Sequence, residues 1–94
     1  MNKVALSVDY SDGSGVDVEA TTPDLIAFER QFDKSFAAFA DDLRLEYIVW
    51  LAWHALTRTK QVTVDFDPWT ETVDGVTVKA VPDLPPLENS QPTG

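Results

Sequence analysis

The sequence predicts an α+β fold, in which an N-terminal β-hairpin packs with a mainly helical layer. Up to about residue 20, apolar residues recur at every second position, which is the period of a strand with one buried face. From residue 22 onward they recur every three or four positions, which is the period of an amphipathic helix. A short helix, a short strand and a disordered tail are expected to complete the chain.

The hairpin is predicted from two alternating segments, "KVALSVDY" and "VDVEA". Between them, "SDGSG" holds two glycines and three small polar residues, a composition typical of a turn. The loop should therefore contain about five residues. The side chains expected on the buried face are Val4, Leu6, Val8, Val16 and Val18.

The first helix is predicted to span residues 23–40. Thr22 is the expected N-cap, Pro23 suits the first turn, and Asp24 is favoured near the positive end of the helix dipole. The weak helix formers in "DKS" leave open a break in the middle of this helix. Spacings of 3, 4, 4 and 3 place one apolar stripe on its surface, formed by Leu25, Phe28, Phe32, Phe36 and Phe39.

The second helix is predicted to span residues 42–58, with Asp41 as its N-cap, and it has two apolar faces. The aliphatic face is expected to lie in the core and consists of Leu45, Ile48, Val49, Ala52 and Leu56. The opposite face is an aromatic stripe and consists of Leu43, Tyr47, Trp50 and His54.

The aromatic stripe has two interpretations. A helix that is apolar all round is usually buried, so the phenylalanine-rich helix could cover one face and the strands the other. Alternatively, the stripe packs against another subunit or a partner, because interfaces favour Tyr and Trp. The partner-binding hypothesis assigns this role to Tyr47, Trp50, His54 and Trp69.

The C-terminal third is predicted to begin with a short strand at residues 61–66. A helix of about two turns should follow, in which Asp67 is the cap, Pro68 opens the helix and Trp69 packs. The segment "VTVKAV" should form the last strand.

One domain is expected to comprise residues 1–81. Residues 82–94 contain four of the six prolines. Because proline lacks the amide donor of a regular ladder, this segment is predicted to be a flexible tail.

The chain is acidic, with 16 acidic and 7 basic residues and a net charge of −9. This balance disfavours binding to nucleic acid or to an anionic membrane surface, since both need basic residues. The longest nearly apolar run, residues 47–53, is much shorter than the roughly 20 residues of a membrane span. A soluble, cytoplasmic protein is therefore predicted.

Residues with catalytic potential are few. His54 is the only histidine and no cysteine is present, so thiolate and three-histidine metal sites are excluded. His54 could be a general base, but no serine or cysteine lies at a recognisable motif distance from it. We expect His54 to be a stacked or hydrogen-bonded histidine of the helix instead. Asp65 and Asp67 could together hold Mg²⁺, but Asp67 is already assigned as a helix cap. We predict no enzymatic activity, no metal and no cofactor.

Three segments carry a resemblance to a known family: "LIAFERQFDKSF", "LEYIVWLAWHALTR" and "DFDPWTETV". In this order, and followed by a proline-rich end, they resemble the tail assembly chaperones of long-tailed, siphovirus-type phages and prophages. Those of high-GC Gram-positive hosts are the most similar. The resemblance covers about residues 22–75.

The resemblance implies a non-enzymatic chaperone in the host cytoplasm. Such proteins bind the long, helical, hydrophobic tape-measure protein, keep it soluble during tail assembly, and are absent from the mature virion. It also implies self-association into a homo-oligomer. A longer form of the same protein, made by a programmed ribosomal frameshift, would be a further partner.

Two other functions remain open from the sequence. One is a small phage structural protein, such as a tail-completion or head–tail connector protein, which would be found in purified particles. The other is an acidic regulator that binds a basic protein. Such a regulator would need long surface rows of acidic residues, whereas here they are scattered among apolar positions.

Overall fold

The computed structural model describes residues 3–80, which form a three-stranded antiparallel sheet together with helices. The predicted α+β class is confirmed. The elements follow one another as β1 (Val4–Tyr10), β2 (Gly15–Ala20), α1 (Thr22–Phe32), α2 (Phe36–Asp41), α3 (Leu45–Arg58), α4 (Phe66–Thr70) and β3 (Val73–Ala80). The expected tail, residues 82–94, lies outside the described residues.

The predicted hairpin is formed by β1 and β2. Antiparallel pairing sets Val8 opposite Val16 and Leu6 opposite Val18, as the alternation requires. The turn is closed by the Asp12 carboxylate, which accepts hydrogen bonds from the backbone N–H and the hydroxyl of Ser14 at 2.9 and 2.6 Å. Gly13 adopts a φ of 94°, a conformation that side chains disfavour.

The sheet order is β2-β1-β3, so the N-terminal strand is central. β3 is the predicted C-terminal strand, but it begins earlier than expected, at Val73. It pairs antiparallel with the free edge of β1, for example with Val76 opposite Val8. The buried face of the sheet includes Val4, Leu6 and Val8, all fully buried.

The prediction of a strand at residues 61–66 is wrong. The chain turns after α3 at Lys60, whose φ is 65°, and the amide of Gln61 donates back to the carbonyl of Leu56 at 2.9 Å. The indole N–H of Trp53 then donates to the carbonyl of Val64 at 3.0 Å. These hydrogen bonds tie the segment to α3 rather than to the sheet, although its valines alternate.

The prediction of a single helix over residues 23–40 is also wrong. The helix is broken near "DKS", where the sequence leaves a break open. α1 ends at Asp33, which adopts the left-handed conformation with a φ of 53°. α2 begins at Phe36, whose amide donates to the Glu29 carboxylate at 2.7 Å. The N-cap of α1 is Thr21 rather than Thr22.

The other predicted helix starts are shifted as well. α3 begins at Leu45 with Arg44 as its N-cap, instead of beginning at residue 42 after Asp41. The N-cap position of α4 is Asp65 rather than Asp67, and the Asp65 side chain makes no capping hydrogen bond.

α3 is the central element of the helical layer. It packs against β2 and β3 of the sheet, and it also packs against α1 and α4. Because α3 has neighbours in the sheet and among the helices, side chains on more than one of its faces can be buried.

Candidate functional site

The aromatic side of α3 belongs to the core. Tyr47 and Trp50 are only 5% and 8% exposed. The Phe32 ring lies 4.8 Å from the ring of Tyr47 and 5.6 Å from that of Trp50, and Phe28 lies 5.3 Å from Tyr47. These residues therefore do not form the exposed stripe that the partner-binding hypothesis requires. The phenylalanine side chains of α1 cover this side of α3, as the first interpretation expected.

Trp69, the fourth residue of that hypothesis, is also in the core, at 3% exposure. Its indole N–H donates to the hydroxyl of Tyr10 at 3.2 Å, and the two rings meet edge to face at 6.4 Å. Trp69 thus fixes α4 to β1, as its predicted packing role required.

The aliphatic face of α3, which was predicted to lie in the core, is only partly buried. Ala52 and Leu56 are fully buried, as expected. Leu45 is 70% exposed, contrary to the prediction, and Ile48 and Val49 are half-buried. The fully buried positions between the two faces are Leu51 and Ala55. The buried arc is rotated toward α1 because the phenylalanine side chains cover that side.

His54 is stacked and hydrogen-bonded, as expected, but the sequence did not identify its polar partner. Its ring is half-buried, stacks on Trp50 at 5.1 Å, and places Nδ1 2.6 Å from Oδ1 of Asp24. Asp24 is fully buried. Because an ionised carboxylate can only accept, Nδ1 of His54 carries the shared proton.

Arg58, one turn beyond His54, completes the cluster. Its Nε donates to both oxygens of Asp24 at 3.0 Å, and Nη2 lies 2.9 Å from Oδ2. The backbone N–H of Thr21 donates to the same carboxylate at 2.8 Å. We call Thr21, Asp24, His54 and Arg58 the Asp24 cluster.

The ionisation of the cluster follows from these contacts. Burial raises the pKa of Asp24, but hydrogen bonds from Arg58, the Thr21 amide and His54 outweigh that effect, so the pKa lies below its ordinary value. The hydrogen bond to Asp24 raises the pKa of Arg58. The carboxylate therefore stays charged and joins the start of α1 to the end of α3.

The geometry of the Asp24 cluster resembles the orienting half of a catalytic triad, in which an aspartate holds a histidine. No serine or cysteine takes part in its hydrogen bonds among residues 3–80. The contacts support a clamp between two helices. Nor do three Asp, Glu or His side chains come close enough to hold a metal ion in this part of the chain.

An open groove lies where α3, α4 and β3 meet, and its accessible lining is mostly apolar. We call it the apolar groove; its volume is about 370 Å³. It is lined by Leu45, Glu46, Val49, Phe66, Thr70, Val73, Asp74 and Gly75. The exposed Leu45 side chain stands at this groove, so the site is open to a partner.

A second depression adjoins the groove and is lined by aromatic rings and carboxylates. We call it the aromatic hollow; its volume is about 610 Å³. Its lining consists of Gln31, Phe32, Glu46, Trp50, Trp53, Asp65, Phe66, Asp67 and Pro68. The Trp53 and Phe66 rings meet edge to face at 5.6 Å, with the Trp53 indole held by Val64.

Sequence reasoning missed the apolar groove for one reason. It placed Leu45 and Val49 in the core from the period of α3, and that period does not show where the covering layer ends. The spacing of four between His54 and Arg58 was a local signal for a shared partner. Nothing local identified that partner as Asp24, 30 positions before His54.

Comparison with known protein families, curated proteins and solved structures finds no match to this chain. Within residues 3–80, no helix is both long enough and apolar enough to cross a membrane.

Proposed function

We propose that this protein is a non-enzymatic phage tail assembly chaperone, which binds the tape-measure protein and keeps it soluble during tail assembly. The observation that carries the proposal is the apolar groove, with Leu45 standing 70% exposed at its edge. Contiguous apolar surface that remains exposed and is rimmed by polar residues marks an interaction site. A long hydrophobic helix, such as the resemblance implies for the client, would bind by helix-in-groove recognition.

The acidic surface supports the same role. A net charge of −9 on 94 residues keeps a complex with an apolar client dispersed. Action in the host cytoplasm and absence from the finished particle belong to the proposal, as do self-association and a frameshifted longer form.

Co-expression of the full chain with the tape-measure protein of the same phage tests the proposal. The tape-measure protein should remain in the soluble fraction and co-purify with this protein, whereas alone it should precipitate. The matched control is another acidic protein of similar size expressed in its place. Recovery of equal soluble tape-measure protein with that control would contradict the proposal.

Mass spectrometry of purified particles separates the chaperone from the structural alternative. The chain should be present in infected cells and absent from purified virions. Its presence in virions in stoichiometric amounts would indicate a tail-completion or connector protein instead.

A further inference from the structure

The apolar groove and the aromatic hollow are parts of one continuous surface. Phe66 and Glu46 line both depressions and therefore form the wall between them. On one side of this wall a ligand meets the aliphatic Leu45, Val49 and Val73. On the other side it meets Trp53 together with carboxylates. A ligand that covers both depressions must therefore differ chemically along its length.

The charged residues that line this surface are all acidic. Glu46, Asp65 and Asp67 line the hollow, and Asp74 lines the groove. The sequence has no Lys or Arg between Lys60 and Lys79. Asp65 and Asp67 form no ion pair within residues 3–80, and the Asp65 side chain makes no capping hydrogen bond. Their carboxylates can therefore pair with a cation from a partner.

The rings of the hollow favour the same kind of group. A lysine or arginine is attracted to the face of a tryptophan ring, and the attraction grows as water is excluded. Trp53 is half-buried and Trp50 forms part of the floor. The aromatic rings and the carboxylates that line the same depression both favour a positively charged side chain.

We propose that the apolar groove and the aromatic hollow together bind one amphipathic helix of a partner protein. Its aliphatic side chains lie in the groove, and a lysine or arginine three or four positions away lies in the hollow. Residues at this spacing share one face of a helix. The proposal rests on the proposed function, and it names the chemistry of the client segment.

Two designed helical peptides of about 20 residues, long enough to hold a helix, test the charge preference. Both carry the same Leu/Ala face, which is flanked by lysines in one peptide and by glutamates in the other. Binding to the full chain is followed by calorimetry and by tryptophan fluorescence, since Trp50 and Trp53 line the hollow. The lysine peptide should bind at least about tenfold more tightly, because like charges repel at an interface.

Two variants then locate the site. Leu45→Glu should weaken binding of the lysine peptide by about tenfold or more, whereas the matched control Ile26→Glu, at an exposed position of α1, should not. The double variant Asp65→Asn/Asp67→Asn should weaken binding of the lysine peptide about three- to tenfold, and the binding should depend less on salt. The control pair Asp9→Asn with Asp17→Asn makes the same change in charge on the sheet. Circular dichroism confirms that each variant is folded.

Each outcome decides the proposal. Equal affinity for the two peptides would overturn the proposal. So would an equal loss of affinity for the lysine peptide in the variants and in their controls. If neither peptide binds, this surface does not bind a helix and the proposal fails. The proposed function would still be supported if the tape-measure protein co-purifies with the chain. If the lysine peptide binds at this surface but the tape-measure protein does not co-purify, the surface is supported and the proposed function fails.

Discussion

At the scale of single residues, Asp24 has a larger role than its position in a helix suggests. The sequence assigns it to the first turn of α1, where a negative charge is favoured by the helix dipole. In the structure the same carboxylate is fully buried and accepts hydrogen bonds from His54 and Arg58 on α3. A charged group that loses its hydration in this way must be paired, and the Asp24 cluster provides that pairing.

Asp24→Asn should lower the free energy of unfolding near neutral pH by about 2 kcal/mol or more, since it weakens hydrogen bonds between charged groups. In the folded protein the pKa lies below its ordinary value of 3.8. The unfolded chain therefore takes up the proton first as the pH falls. Asp24 should contribute its full stabilisation to the folded state above about pH 5. This stabilisation should decline as the pH falls through the ordinary pKa, and it should be lost below the pKa of the folded state.

Urea unfolding of the wild type and of Asp24→Asn between neutral and acid pH measures this difference. Asp41→Asn, at an exposed position, is the control and should change stability by less than about 0.5 kcal/mol at every pH. A gap between wild type and Asp24→Asn that stays constant down to acid pH would show that the cluster does not hold the carboxylate ionised.

At the scale of elements, α3 is enclosed between the sheet on one side and α1 on the other. The aromatic residues on α1 and α3 account for this packing, because their rings meet at tilted and edge-to-face angles. Such pairs contribute beyond the area they bury. The break after α1 lets Phe39 of α2 approach Phe28 at 5.4 Å.

Trp50→Ala should therefore destabilise the fold rather than only a partner contact. Removing a large aromatic side chain from a packed core costs about 3–5 kcal/mol. Trp53→Ala, on the same helix but half-buried, is the matched control and should cost clearly less. Thermal unfolding followed by circular dichroism measures both. If Trp50→Ala melts like the wild type but no longer self-associates or binds a partner, the stripe of Tyr47, Trp50 and His54 serves an interface after all.

At the scale of the whole molecule, strands distant in the sequence complete the sheet. β3 pairs with β1 across more than 60 positions, for example Val76 with Val8. This pairing also brings Val73 beside α3 and α4, so the apolar groove depends on three elements that are separated in the chain.

Deleting residues 82–94 should leave the melting temperature nearly unchanged. Residues 3–80 by themselves form a sheet, helices and a buried core. Differential scanning calorimetry of the shortened chain against the full chain measures the effect. A fall of several degrees, equivalent to about 1 kcal/mol for a domain of this size, would mean that Leu84 or Leu87 packs on the domain.

Local signals in the sequence predicted the fold class and the approximate positions of most elements. Alternation at Val4, Leu6 and Val8 and the turn at "SDGSG" are local signals, and local geometry suffices to form a hairpin from them. The phenylalanine stripe likewise identified one buried face of the first helical segment. These predictions succeeded because period and turn chemistry depend on neighbouring residues.

Which faces are covered depends on contacts between distant segments, and no local signal predicts it. Tyr47 and Trp50 are buried because α1 packs on their side of α3, and Leu45 is exposed because no described element covers it. The partners of Asp24 and the shared wall at Phe66 likewise arise from contacts between distant segments. A helical period gives the direction of each side chain around its own axis, but burial depends on the elements that pack beside it.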